Sequence, residues 1–292
     1  MPIHMELKDD RSEKVHYDYP DYPIYLRRGL LSNYPNYTAP VHWHDDIEFI
    51  AVSEGEMTYN VNGERILLKS GEGIIVNSRQ MHFGCSDTWT ECDFICALLH
   101  PMLLCAVSAC EYDFILPFLR NTAVPFLHLT PGSPWQQEIL TQLKLMYANK
   151  NRKTAPLKIQ SAFFEIWSLL FEQIPPESGQ TNQESGDLTI TKNMVGFIQQ
   201  NYTCKLSLSQ IAASGAVGQS KCCKLFSRYF NQSPILYLNQ YRLNKSMELL
   251  RNTDLTITEI AFQCGFTSAS YYAETFRKWI GKNPTESRRE KI

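Results

Sequence analysis

The chain has 292 residues, 43% hydrophobic and 20% charged, which is long and apolar enough for two domains with a sizeable core. No apolar run approaches the roughly 20 residues of a membrane span, and the charged start Met1 to Lys14 lacks the apolar stretch of a secretion signal, so a cytoplasmic protein without a membrane partner is expected. The net charge of -2 conceals an asymmetry: residues 188–292 carry 14 basic and 6 acidic residues, +8, and residues 1–187 carry 14 and 24, -10.

Residues 22 to 99 show short β-branched and aromatic runs broken by turn signals. The sharpest is Asn62-Gly63, between Met57–Val61 and Arg65–Leu68, a pair that suits a type I′ hairpin turn because both residues tolerate positive φ. A second turn, Ser70 to Gly73, precedes the strand-like Ile74-Ile75-Val76. Closely spaced strands of this kind predict a small antiparallel barrel or sandwich within residues 1–133. Helices are predicted over Pro134 to Asn149 and Ala155 to Ile174, the second with Ile159, Phe163, Ile166, Leu170 and Ile174 on one stripe. This hairpin, residues 134–174, either packs on the barrel or serves as a homodimer contact. Residues 175–187 contain no apolar residue except proline and are rich in Pro, Gly, Ser and Gln, the composition of a linker.

From residue 188 the pattern is helical and internally repeated. Leu206-Ser207-Leu208-Ser209-Gln210-Ile211-Ala212 matches Leu255-Thr256-Ile257-Thr258-Glu259-Ile260-Ala261, and each copy is followed by a turn and a second amphipathic segment, Gln219 to Tyr229 and Ala269 to Trp279. Phe226 and Phe276 are equivalent, and Pro234 and Pro284 follow them at the same interval. Ser209 and Thr258 are placed to cap the first helix of each copy, Ile211 and Ile260 to point inward, and Ala212 and Ala261 to let two helices cross closely. Gly265 is expected to end its helix and Phe266 to plug the core. Asn231 and Gly281 stand where a helix end needs a left-handed residue, and Ile235 to Leu250 reads as a helix joining the copies. Two helix-turn-helix units in a basic domain point to double-stranded DNA as partner.

The stretch from Ile190 to Arg289 resembles the AraC/XylS family of bacterial transcription regulators, most densely over Ile257 to Pro284. The resemblance implies two recognition helices in successive major-groove segments about 34 Å apart. By position the first directs Gln219, Ser220, Lys221, Cys223 and Lys224 toward DNA, with Cys222, Leu225 and Phe226 inward, and the second presents Ala269, Ser270, Ala273 and Glu274. Lys224 suits guanine and Glu274 suits cytosine N4, although a salt bridge to Lys278 is the other use of Glu274. Arg242, Arg277 and Lys278 are assigned to phosphates. A homodimer and contact with RNA polymerase belong to the same implication.

In the acidic half, the stretch from His42-Trp43-His44 through Glu48 to Gly55 resembles the first cupin motif, and His82, after Gly71 and Gly73, falls where the second places its histidine. Asn77-Ser78-Arg79 departs from the usual Pro-x-Gly. The resemblance implies a cupin-like barrel in which His42, His44, Glu48 and His82 converge, as a site for a divalent metal, as part of a small-molecule effector pocket, or as a hydrogen-bonded structural cluster. Trp43 and Tyr59 are candidates to stack on a sugar, with aromatic core as the alternative. The fold class expected is α+β multidomain: a cupin-like antiparallel barrel with two helices, then an all-α tandem helix-turn-helix domain. The function expected is a sequence-specific, effector-controlled transcription regulator that requires no cofactor and performs no catalysis. The rival is a metal-dependent cupin enzyme with an ancillary DNA-binding domain, and a nucleic-acid-packaging protein is disfavoured by the modest +8. The nine scattered cysteines, without a Cys-x-x-Cys pair, argue against a disulfide scaffold or a zinc ribbon.

Overall fold

The computed structural model describes residues 12–19, 21–174, 186–230 and 232–289, and the chain divides into two compact units, residues 3–184 and 185–292. The first unit is built on seven antiparallel strands: β1 (Ile24–Leu30), β2 (Ile47–Val61), β3 (Glu64–Lys69), β4 (Gly73–Val76), β5 (His82–Cys85), β6 (Cys92–Leu99) and β7 (Phe126–Leu129). Their order is β1-β6-β2-β4-β7, with β3 and β5 also paired to β2. The 15-residue β2 is therefore the spine. Its first half pairs with β6 and β4, and its second half with β3 and β5.

Between those halves β2 carries a bulge. Val52 pairs with Phe94 and Glu54 with Asp93, so Ser53 is the extra residue. Gly55 follows at φ 77, and a Cβ there would lie 2.0 Å from the Glu91 carbonyl oxygen, so only glycine fits. The extra residue reverses the side-chain alternation. Glu48 and Ile50 before it and Met57 and Tyr59 after it all border one interior cavity, whereas Ile47, Phe49 and Ala51 face the opposite way, into a second apolar cluster. The hairpin turn is as the sequence predicts, with Asn62 at φ 52 and Gly63 at φ 89, and the Gly63 N–H donates to Asn60 Oδ1 at 3.0 Å.

Helices α1 (Pro134–Asn149) and α2 (Ala155–Gln173) cover the outer face of the larger sheet. Ile159, Phe163, Ile166 and Leu170 are fully buried against Phe49 and its neighbours, so the apolar stripe of α2 is core of this unit. Between β6 and β7 the chain forms a short irregular helical stretch, Ser108–Cys110, Glu111–Ile115 and Leu116–Leu119, whose middle segment has π-helical hydrogen bonding.

The second unit is all helical: α3 (Gly186–Asn201), α4 (Leu208–Ser214), α5 (Gln219–Phe230), α6 (Pro234–Asn252), α7 (Ile257–Gln263), α8 (Ala269–Ile280) and α9 (Pro284–Arg289). Residues 175–185 of the expected linker lie outside the described residues, as does Asn231, while Gly186 and Asp187 belong to α3. An acidic residue in a helix's first turn is favourable beside its unpaired N–H groups, which extends α3 beyond the expected start. The helix-turn-helix pairs are α4–α5 and α7–α8. Their caps are Ser207 and Thr256 rather than Ser209 and Thr258, because each forms a capping box with the residue three positions on, Gln210 or Glu259. Ile211, Ala212, Ile260, Ala261, Phe226, Phe276 and Phe266 are buried as expected. Gly281 ends α8 at φ 79, and Pro234 and Pro284 open α6 and α9.

Candidate functional site

Four side chains from separate parts of the first unit meet on one atom. The His82 Nε2 lies 2.8 Å from Glu48 Oε2 and the His44 Nε2 3.2 Å from it, with His42 Nε2 at 3.9 Å. Alternation turns His42 and His44 to the same side, and an isolated β-bridge between His42 and His82 brings the third ring across. Each ring places its other nitrogen on a backbone carbonyl: His42 Nδ1 on Pro40 O at 2.9 Å, His44 Nδ1 on Asp46 O at 3.0 Å, and His82 Nδ1 on Gln80 O at 2.8 Å. A carbonyl only accepts, so every Nδ1 carries hydrogen and every Nε2 is the nitrogen presented to Glu48.

Where the cupin resemblance leads one to expect Pro-x-Gly, Arg79 holds a left-handed φ of 62. Its N–H donates to the His44 carbonyl at 2.7 Å and its guanidinium to Asp45 at 2.9 Å. The altered motif thus keeps its turn and ties it to the His42–His44 segment.

Burial works against the charged forms throughout the cluster, and local partners decide the outcome. Burial pushes His42 down to about 3, with His82 adding to the fall. Burial pushes the same way on His44, but the hydrogen bond and charge of Glu48, then Asp46 and Glu13, outweigh it and lift the group to about 8. Burial would raise Glu48, yet the charge of His82 and the hydrogen bonds from both rings hold it well below the ordinary carboxylate range. The surroundings thus favour the neutral form of His42, the charged form of His44 and the ionised form of Glu48. The Tyr59 hydroxyl donates to Glu48 Oε1, which fixes the other carboxylate oxygen.

The cluster borders a partly open cavity of about 140 Å³ reached by His42, Glu48 and Tyr59. His44 and His82 are only 1% exposed, stand behind Glu48 and do not border the cavity. Glu13, His16, Tyr25 and Tyr34 do border it, and none was singled out in the sequence. They precede or open the strand region, where no periodic pattern marks them. Burial raises the Glu13 carboxyl from its ordinary range, and its Oε2 lies 3.6 Å from His42 Nε2. Trp43 is not part of the lining: the alternation that turns its neighbours inward sends it the other way, into a buried position. Among the described residues, His42, His44, Glu48 and His82 are the group whose donor atoms lie within 4.8 Å of one another. Three imidazoles oriented by carbonyls plus a carboxylate are a nitrogen and oxygen donor set that fits a divalent transition metal.

In the second unit, Gln219, Ser220, Lys221 and Lys224 on α5 are exposed and Cys223 is half-buried, while Cys222, Leu225 and Phe226 face the core. On α8, Ser270, Glu274, Arg277 and Lys278 are exposed and Ala269 and Ala273 half-buried. No ion pair joins Glu274 to Lys278 among the described residues. Arg242 does not take the phosphate-facing position expected of it. It is 6% exposed, and its Nε and Nη2 donate to the carbonyls of Tyr202 and Cys204 at 2.8 and 2.7 Å. Its position on the inner face of α6 commits the guanidinium to the protein interior, away from any phosphate.

Residues 27–167 match the family described as AraC-like ligand binding domain, and residues 211–290 match a helix-turn-helix domain family. The chain is 26% identical over 265 residues, 90% of each protein, to the HTH-type transcriptional regulator YdeC of Bacillus subtilis. It is 23% identical over 276 residues to the melibiose operon regulatory protein of Escherichia coli K12, covering 92% of this chain and 89% of that one. Among solved structures, unsaturated fatty acid bound ToxT of Vibrio cholerae aligns with a TM-score of 0.46 at 15% identity, covering 91% of this chain and 94% of that chain. With a ligand-binding barrel in the first unit and paired helix-turn-helix motifs in the second, each matched by its own family, the chain belongs to the AraC family of DNA-binding transcription regulators.

Proposed function

We propose that this regulator is governed by a small, neutral, hydroxylated effector, a carbohydrate or related metabolite, held in the barrel cavity. The cavity carries this reading: among the described residues two carboxyl groups, His42, His16 and three tyrosines are set in an otherwise apolar wall that includes Leu31, Ile50, Met57 and Phe94, and no lysine or arginine borders it. Such a wall accepts and donates hydrogen bonds to hydroxyl groups and repels anions. Similarity to a protein named for a melibiose operon supports the same class. The regulator acts as a cytoplasmic homodimer, and the effector shifts an equilibrium between two arrangements through different affinity for each. No turnover is required of the site.

Reading of DNA falls to α5 and α8. Lys224→Ala in the full chain is expected to weaken one half-site by about 1–3 kcal/mol and relax base preference there. Arg277→Ala is expected to weaken every sequence alike, as loss of a phosphate contact does. Mobility-shift titrations against a panel of single-base operator variants check both, and a sequence-selective loss at Arg277 with a uniform one at Lys224 would reverse the roles.

A second reading is favoured by the imidazole geometry: a divalent transition metal at His42, His44, Glu48 and His82. Protein purified without added metal is then expected to hold one equivalent by elemental analysis and to lose barrel stability on chelation. An equivalent of metal together with loss of fold would replace the organic effector at this cluster, and sub-stoichiometric metal would remove the metal reading.

A further inference from the structure

We infer that Asp187 competes with DNA phosphate for a basic edge of the first recognition helix formed by Lys221 and Arg228. Asp187 sits in the first turn of α3, with Oδ1 2.9 Å from Lys221 Nζ and Oδ2 3.8 Å from Arg228 Nη1. The two basic residues are seven apart on α5, two helical turns, so they share one flank. That flank adjoins the face carrying Lys224 and lies away from Cys222, Leu225 and Phe226 in the core. Both cations remain about half exposed or more, at 51% and 67%.

A carboxylate and a phosphate oxygen accept from the same N–H donors, and Asp187 also sets a negative charge where the sugar-phosphate backbone would approach. An exposed ion pair of this kind is weak enough to be exchanged for phosphate, so it lowers affinity without blocking it. The second helix-turn-helix, α7–α8, lacks the device. Lys278 stands fifty residues beyond Arg228, the offset that relates Phe226 to Phe276, and among the described residues no ion pair holds it. Arg228, absent from the recognition residues read from the sequence, thereby joins the DNA-binding edge.

The inference rests on α5 being a recognition helix, and the test separates the two. Asp187→Asn in the full chain keeps a helix-compatible side chain of the same shape and removes the charge. Its affinity for mixed-sequence duplex DNA is expected to rise about three- to tenfold, and the plot of log affinity against log salt to steepen by about one. The thermal midpoint is expected to fall only slightly, by the small contribution that a first-turn negative charge makes to α3. The gain is expected to vanish when Lys221→Ala and Arg228→Ala are already present. If Lys221→Ala and Arg228→Ala weaken DNA binding but Asp187→Asn leaves it unchanged or weakens it, the competition is overturned and the recognition helix stands. If Lys221→Ala, Arg228→Ala and Lys224→Ala all leave binding intact, the assignment of α5 itself fails and the competition with it.

Discussion

Exchanging both His44 and His82 for alanine is expected to abolish the response of the full chain to its effector. Neither ring touches the cavity; together they hold Glu48, which does. Without them a buried carboxylate keeps the Tyr59 hydroxyl and the more distant His42 ring, and breaking a buried ionic arrangement in this way costs about 3–5 kcal/mol. Stability and recognition are separable by adding Glu48→Gln. The triple variant no longer buries an uncompensated charge, so most of the lost stability is expected to return while the response does not. Thermal unfolding against a panel of neutral sugars reads both quantities, since an effector at a hundred times its Kd stabilises the wild-type chain by about 2.7 kcal/mol. A triple variant that still shifts with the same sugar would remove the cluster from effector binding.

Arg242→Met is expected to destabilise the second unit by about 3 kcal/mol while leaving the salt dependence of DNA binding unchanged. The arginine spends two charged donors on the carbonyls of Tyr202 and Cys204, each such bond being worth about 1.5–3 kcal/mol, and methionine preserves much of the packing volume while making neither. The same turn is crowded from the other side. Gly265, at φ 81, lies so close that a Cβ would meet the Tyr202 oxygen at 2.3 Å, so α6 and the end of α7 both clamp one short turn after α3. Urea unfolding measures the loss. An unchanged urea midpoint combined with a salt slope shallower by about one would return Arg242 to the phosphate backbone.

Arg242 also marks the limit of what the sequence discloses. A basic residue in a basic domain carries no signal of burial, because burial is decided by which face of α6 meets the turn after α3, a contact forty residues away in the chain. The helix-turn-helix repeat was legible because its determinants are local: the spacing of Phe226 to Pro234 and Phe276 to Pro284, and the small Ala212 and Ala261. Even there the caps lay two residues earlier than expected, since Ser207 and Thr256 each find a partner three positions on and Ser209 and Thr258 do not. The histidine cluster was legible through alternation at His42 and His44. Glu13, Tyr25 and Tyr34 were not, because only the three-dimensional path of the chain places them on the same cavity.

The bulge at Ser53 bears on how this barrel can diverge. Glu48 and Tyr59 are eleven positions apart, an odd interval that would put them on opposite faces of an unbroken strand. They meet only because one supernumerary residue intervenes. Deleting Ser53, which does not border the cavity, would turn Met57 and Tyr59 outward and present residues of the opposite alternation, such as Thr58, in their place. Length changes within β2 therefore keep the cavity wall only in steps of two, or with a shifted bulge, whereas the exposed tip Asp87–Thr90 of the connection between β5 and β6 is under no such parity constraint.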